Sequence, residues 1–135
     1  QNVSELAYVE SSRKEKLFRQ HSAIKSFYLD MVKEVDESFF ILLVFGSAAA
    51  FKKKPEDIEI LLILDERKKV EKHEKLLQKI ASRFHTKFHI HVISQESVYE
   101  MFAKRDQLNV MNETLNKHVI LFGAENYYLL LNNAR

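Results

Sequence analysis

The chain contains no cysteine, no tryptophan, one proline and only two glycines. The lack of cysteine excludes disulfides and thiolate metal sites and is typical of a reducing compartment, so we expect a cytoplasmic protein. The scarcity of glycine and proline favours helices and strands joined by few long loops. The longest apolar run is far shorter than the roughly 20 residues of a membrane helix, so no membrane partner is expected.

Charge and length bound the class of protein further. A net charge of +2 over 135 residues is too small to indicate nucleic-acid binding on its own. The length and a hydrophobic content of 46% favour one globular domain, which we place at residues 21–135. Residues 1–20 contain two short apolar runs around a polar stretch, and this pattern predicts an N-terminal hairpin.

Hydrophobic periodicity predicts alternating helices and strands over the main domain. Strands are predicted at residues 39–45, 57–64, 88–93 and 119–122. The first two are unbroken apolar runs, which is typical of strands buried on both faces. Helices are predicted to begin at the capping residues Ser22, Asp65, Ser94 and Asp106, and a last one covers 124–131. The expected fold class is α/β, a small mixed sheet with helices packed around it.

The segment between the two central strands carries the most chemical information. The first run ends in Gly46 and Ser47, and Asp57 and Glu59 open the second. Carboxylates at i and i+2 of a strand point to the same side, so both could bind one metal cluster. A helix beginning after Ser47 would direct free amides at a phosphate, and Gly46 would let the backbone approach it. A phosphate cradle beside carboxylates that hold Mg²⁺ is what nucleotidyl transfer needs.

These segments resemble the minimal nucleotidyltransferases of the DNA polymerase beta superfamily. The likeness rests on the residues at 44–47 and 56–63, and it extends from about residue 22 to residue 131. The tail is similar to the closing segments of archaeal and bacterial members. In some relatives the domain follows a winged helix, so the hairpin at 1–20 would be the remnant wing of an upstream DNA-binding domain.

The resemblance implies a nucleotidyltransferase fold and a role for each motif residue. Gly46 and Ser47 would hold a nucleoside triphosphate, and Asp57 and Glu59 would bind Mg²⁺ in a two-metal site. The third acid of active members is the general base, and the matching position here is His89. The chain also departs from the family after Ser47, where three alanines and Phe51 replace the usual basic residue and second glycine.

The role of His89 stays open between three interpretations. A histidine can act as a general base near neutral pH, so His89 is a candidate catalytic residue. Histidine is a poorer Mg²⁺ ligand than a carboxylate, so His89 alternatively marks a site that has lost catalysis. In the third interpretation, His89 and His91 only line a polar strand face.

Other side chains suggest weaker alternatives. Lys53, between two further lysines, would attract a triphosphate or an RNA backbone, although a solvated loop gives the same pattern. His85, His89 and His91 raise the option of a zinc site; His89 and His91 could share the ion, but no third ligand with clear spacing accompanies that pair. Tyr127 and Tyr128 are typical of a core or a homodimer contact.

The sequence is therefore compatible with two functions. The first is an enzyme that binds NTP and Mg²⁺ and transfers NMP to a hydroxyl acceptor. The second is a catalytically inactive binding module of the same fold, which is antitoxin-like or associated with a transcription regulator. Its partners would be another protein, or nucleic acid contacted through an upstream domain.

Overall fold

The computed structural model describes residues 3–52, 57–104 and 109–134. These residues form four strands and six α-helices. The strands make one mixed sheet, and the helices pack on both of its faces. The strands are β1 (Phe40–Phe45), β2 (Ile58–Leu64), β3 (Phe88–Ser94) and β4 (His118–Phe122). The helices are α1 (Val3–Gln20), α2 (Ser22–Glu34), α3 (Val70–Ala81), α4 (Gln95–Ala103), α5 (Val110–Asn116) and α6 (Ala124–Ala134).

The two apolar strands form the centre of the sheet, as their composition predicts. The strand order is β3-β2-β1-β4, with β1 antiparallel to both β2 and β4. Strand β3 is parallel to β2, and α3 is the crossover between them. Every residue of β1 is buried, because helices cover both of its faces.

Side chains of the sheet alternate between two apolar clusters. On the first face, β1 and β2 pack against α2, α3 and Leu17 of α1. On the second face, they pack against α4, α5 and α6. The prediction of an α/β domain with a small mixed sheet and packed helices is therefore confirmed. No helix within the described ranges is long and apolar enough to cross a membrane.

The prediction of a hairpin at residues 1–20 is wrong, because residues 3–20 form helix α1. Among the α1 side chains that the structure describes, Glu10 and Leu17 are buried; they are seven positions apart and therefore lie on one side of the helix. Because Glu10 is charged, the buried side of α1 does not show the apolar periodicity that predicts a helix. The prediction that Ser94 caps α4 is confirmed, since its hydroxyl accepts the amide of Ser97 at 3.3 Å.

Two other predicted capping residues have different outcomes. Asp65 does not cap a helix; its carboxylate instead contacts Lys69 Nζ at 3.1 Å, and a short 3₁₀ turn (Arg67–Lys69) precedes α3. Asp106 lies outside the described residues. Helix α5 is capped by Asn109, whose side chain accepts the amide of Asn112.

Helix α1 covers the outer edge of β4 through the buried Glu10. Its carboxylate accepts the backbone N–H of Ile120 at 3.2 Å and the Tyr128 hydroxyl at 3.4 Å. Arg13, one turn further along α1, donates to the same carboxylate at 2.9 Å. The ion pair and the hydrogen bonds compensate the burial of this charge, which is only 3% exposed.

We expect Glu10→Ala to lower the free energy of unfolding by about 2 kcal/mol, because it leaves the buried Ile120 amide without an acceptor. Urea denaturation followed by circular dichroism measures this loss. The matched control is Glu15→Ala, an exposed glutamate on the same helix, which should cost less than about 0.5 kcal/mol. Equal losses in the two variants would show that the Glu10 contacts contribute nothing.

The two glycines adopt the left-handed conformation for different reasons. Gly123 has φ +83°, and a Cβ there would lie 2.7 Å from the Phe40 carbonyl oxygen. Gly46 has φ +77°, but its Cβ would only meet Glu59 Cγ at an ordinary 3.6 Å. Both substitutions to alanine therefore strain the backbone, and only that at position 123 also produces a clash with main chain.

Gly123→Ala should therefore cost more than Gly46→Ala. We expect about 1 kcal/mol for position 46, from backbone strain alone, and at least about 3 kcal/mol for position 123. Thermal and urea unfolding of the two variants measure the difference. A smaller loss at position 123 than at position 46 would contradict the clash.

Candidate functional site

The candidate site lies at one end of the sheet, where β1 ends and β2 and β3 begin. Antiparallel pairing sets Phe45 opposite Glu59, and parallel pairing sets Glu59 opposite His89. These three residues therefore form one row across the sheet. Asp57 immediately precedes β2, and Gly46 immediately follows β1. The pairing thus brings together motifs that lie far apart in the chain.

The acidic and histidine side chains share the second face of the sheet. Their neighbours Ile58, Ile60 and Val92 belong to the first apolar cluster, so the alternation of the strand directs Glu59 and His91 to the opposite side. We call Asp57, Glu59, His89 and His91 the polar cluster. Its side chains are 28–40% exposed, so solutes can reach them.

Each histidine of the polar cluster contacts carboxylate oxygens. His89 Nε2 lies 3.3 Å from Asp57 Oδ2, and His89 Nδ1 lies 3.3 Å from Glu59 Oε1. The His89 ring therefore lies between the two acids. His91 Nε2 forms a 2.7 Å hydrogen bond with Glu59 Oε2, and its ring centroid is 5.4 Å from that of Phe45. Both oxygens of Glu59 thus have an imidazole neighbour.

The glycine-serine segment forms a series of tight turns. The Ala50 amide donates to the carbonyls of Gly46 and Ser47, at 3.2 Å each, and the Phe51 amide donates to Ala48 at 3.0 Å. Phe51 then adopts φ +60°, which is rare for a residue with a side chain. Residues 46–52 form these hydrogen-bonded turns and no regular α-helix.

The structure brings most of the predicted site residues together. Asp57 and Glu59 both contact His89, and Glu59 Cγ lies close to where a Cβ on Gly46 would be. Ser47 follows Gly46 in the turn and is half-buried. Lys53, predicted to contact the nucleotide, lies outside the described residues.

The polar cluster shows no assembled Mg²⁺ site. Within residues 3–52, 57–104 and 109–134, no group of three or more His, Asp or Glu side chains is arranged to hold a metal ion. Mg²⁺ takes oxygen ligands in near-octahedral geometry, whereas here the imidazole of His89 faces both carboxylates. The same observation gives no support to a zinc site at His89 and His91. His85 is exposed in the loop before β3.

The aromatic residues near the C-terminus belong to the core. Tyr127 is fully buried in the second cluster, and burial raises the pKa of its phenol. Burial, together with the nearby Glu10 carboxylate, also raises the pKa of Tyr128 to about 12. The His118 ring packs on Tyr127, and burial lowers the pKa of this histidine. The core interpretation of Tyr127 is confirmed.

No protein-family model matches this chain, and neither a curated protein nor a solved structure is significantly similar to it.

If the polar cluster lacks only a third carboxylate, His89→Asp should create a divalent-cation site. Register places that carboxylate beside Glu59, and the substitution also removes the ring from between the acids. We expect the variant to bind Mn²⁺ at least tenfold more tightly than the unsubstituted protein in an electron paramagnetic resonance titration. His85→Asp, which adds the same charge outside the cluster, is the control. Equal Mn²⁺ binding by all three proteins would contradict the expectation.

Proposed function

We propose that this protein is a nucleotide-binding module with nucleotidyltransferase-like architecture that has lost nucleotidyl transfer. The observation that carries the proposal is the position of His89, whose two ring nitrogens each lie 3.3 Å from a carboxylate oxygen. The resemblance in the sequence implies that this position holds the third acid of an active site. An imidazole there replaces an oxygen ligand and lies between the other two acids.

The order of the elements supports the architectural part of the proposal. A buried strand leads into the Gly46 turn, and an antiparallel neighbour carries Asp57 and Glu59. A crossover helix then returns the chain to a parallel strand that carries His89. The resemblance implies the same order of motifs: an apolar strand, a Gly-Ser turn, a strand with two acids and a later strand with the third position.

The electrostatics of the polar cluster support the loss of catalysis. Two-metal transfer relies on ions that neutralise the charge developing on the phosphates. In this cluster the carboxylates are instead neighboured by imidazoles, and the shortest contact, 2.7 Å, joins Glu59 to His91. The protein thus supplies its own partners for the two acids. A nucleotide bound at the adjacent turn would act as a signal or a structural ligand instead of a substrate.

One observation favours the active alternative. His89 is 40% exposed and has a carboxylate neighbour on each ring nitrogen, and carboxylates often orient a general base in this way. In that function His89 would accept the proton of an attacking hydroxyl. The acceptor must then reach the same end of the sheet as Gly46.

Calorimetric titration with ATP, in the presence and absence of Mg²⁺, tests the proposal. We expect binding under both conditions, and no incorporation of labelled NMP into acceptors from a lysate. Asp57→Asn should bind ATP at least as tightly as the unsubstituted protein, because it removes a negative charge from beside the phosphates. A metal-dependent enzyme would instead lose Mg²⁺-dependent binding in this variant.

The Ser47→Ala variant locates the binding site. Loss of one hydroxyl hydrogen bond should weaken ATP binding about fivefold, whereas Ser12→Ala, exposed on α1, should leave it unchanged. Absence of ATP binding by the unsubstituted protein would overturn the proposal. Incorporation of NMP that Asp57→Asn abolishes would establish the active alternative.

A further inference from the structure

The turn that follows β1 contains no cation of its own. Residues 46–51 are glycine, serine, three alanines and phenylalanine. The neighbouring acids Asp57 and Glu59 repel a phosphate, and their imidazole neighbours offset this only in part. A polyphosphate bound at this turn therefore needs positive groups from outside residues 46–51.

Helix α1 brings such a group to the turn. Leu17 of α1 is fully buried and belongs to the same apolar cluster as Ala48 and Ala49. The preceding residue, Lys16, places its Nζ 4.3 Å from the centroid of the Phe51 ring. Phe51 in turn is held by its hydrogen bond to the Ala48 carbonyl.

The Phe51 ring positions the Lys16 ammonium, and the ammonium can still bind a ligand. A cation over an aromatic face is attracted by the ring, and its remaining N–H donors stay directed to solvent. Lys16 is exposed, and no carboxylate of the described residues forms an ion pair with it. The exposed Lys52 follows Phe51 directly, and its amide lies 3.4 Å from the Ser47 carbonyl. Lys16 thus lies over the Phe51 ring, and Lys52 is the next residue in the chain.

We propose that Lys16 binds the polyphosphate of the nucleotide at the Gly46 turn. It takes the place of the basic residue that the turn itself lacks. This inference rests on the proposed function, since it names the residue that recognises the phosphates of that ligand. Phe51 is the positioning residue, because its ring holds the ammonium beside the turn.

A matched control exists on the same helix. Lys14 Nζ lies 5.1 Å from the centroid of Tyr28, so it makes the same kind of contact. Lys14, however, lines the cavity of about 270 Å³ beside Gly123, together with Glu10 and Phe122. Its substitution removes an equal charge and a longer cation–π contact from α1, but neither from the turn.

The experiment measures binding of ATP and of inorganic tripolyphosphate to the full chain and to three variants. Lys16→Gln should weaken binding of both ligands about fivefold, the magnitude of one partly solvated charge-assisted contact. Lys14→Gln should change it less than twofold. Phe51→Leu, which keeps the charge but removes the ring, should give an intermediate loss. Thermal unfolding of each variant verifies that it is folded.

The outcomes separate this inference from the proposed function. If ATP binds but Lys16→Gln and Lys14→Gln have equal effects, the role of Lys16 is wrong and the proposed function stands. A second outcome is that tripolyphosphate binds in a way that depends on Lys16, while ATP binds no more tightly than tripolyphosphate. In that outcome Lys16 binds phosphate as proposed, but the site does not recognise a nucleoside. If neither ligand binds, both are overturned.

Discussion

The antiparallel pairing of β1 with β2 fixes the position of everything else in this protein. Both strands are apolar and buried on two faces, so a shift of one residue would move each buried side chain into the wrong cluster. That constraint sets Phe45 opposite Glu59 and leaves Gly46 beside the Glu59 side chain. The packing of the core therefore determines the positions of the side chains at the end of the sheet.

Two neighbouring carboxylates repel each other, and the polar cluster places imidazoles beside them. A metal ion is one way to hold such a pair together, and hydrogen-bonded imidazoles are another. Here His89 contacts both acids and His91 contacts one of them. Because these groups are about one-third exposed, water screens their interactions, and the pairs add little to the stability of the fold.

The sequence predicted the parts of the fold that depend on local pattern. Unbroken apolar runs identified β1 and β2, and the i, i+2 spacing identified Asp57 and Glu59 as neighbours. The parallel register sets His89 beside Glu59. Ser94 could be recognised as a cap because its partner is only three residues away.

The parts that sequence reasoning missed depend on distant partners. From the sequence alone, Glu10 resembles any solvated charge. In the structure its carboxylate accepts the amide of Ile120 in β4, 110 residues later. For that reason α1 looked unlike a helix with a buried side. The contact between Lys16 and Phe51 is equally invisible, since it joins a helix to a turn across 35 positions. No short motif signals either contact.

The burial of Glu10 and Leu17 has a consequence for where this fold can be divided. A fragment that started at residue 21 would lose both side chains, so the core would acquire a gap and the outer edge of β4 would be uncovered. Uncovered edge strands can pair with other chains, so we expect such a fragment to be more prone to aggregation than the full chain. The natural unit of this architecture is therefore the sheet with its first helix attached.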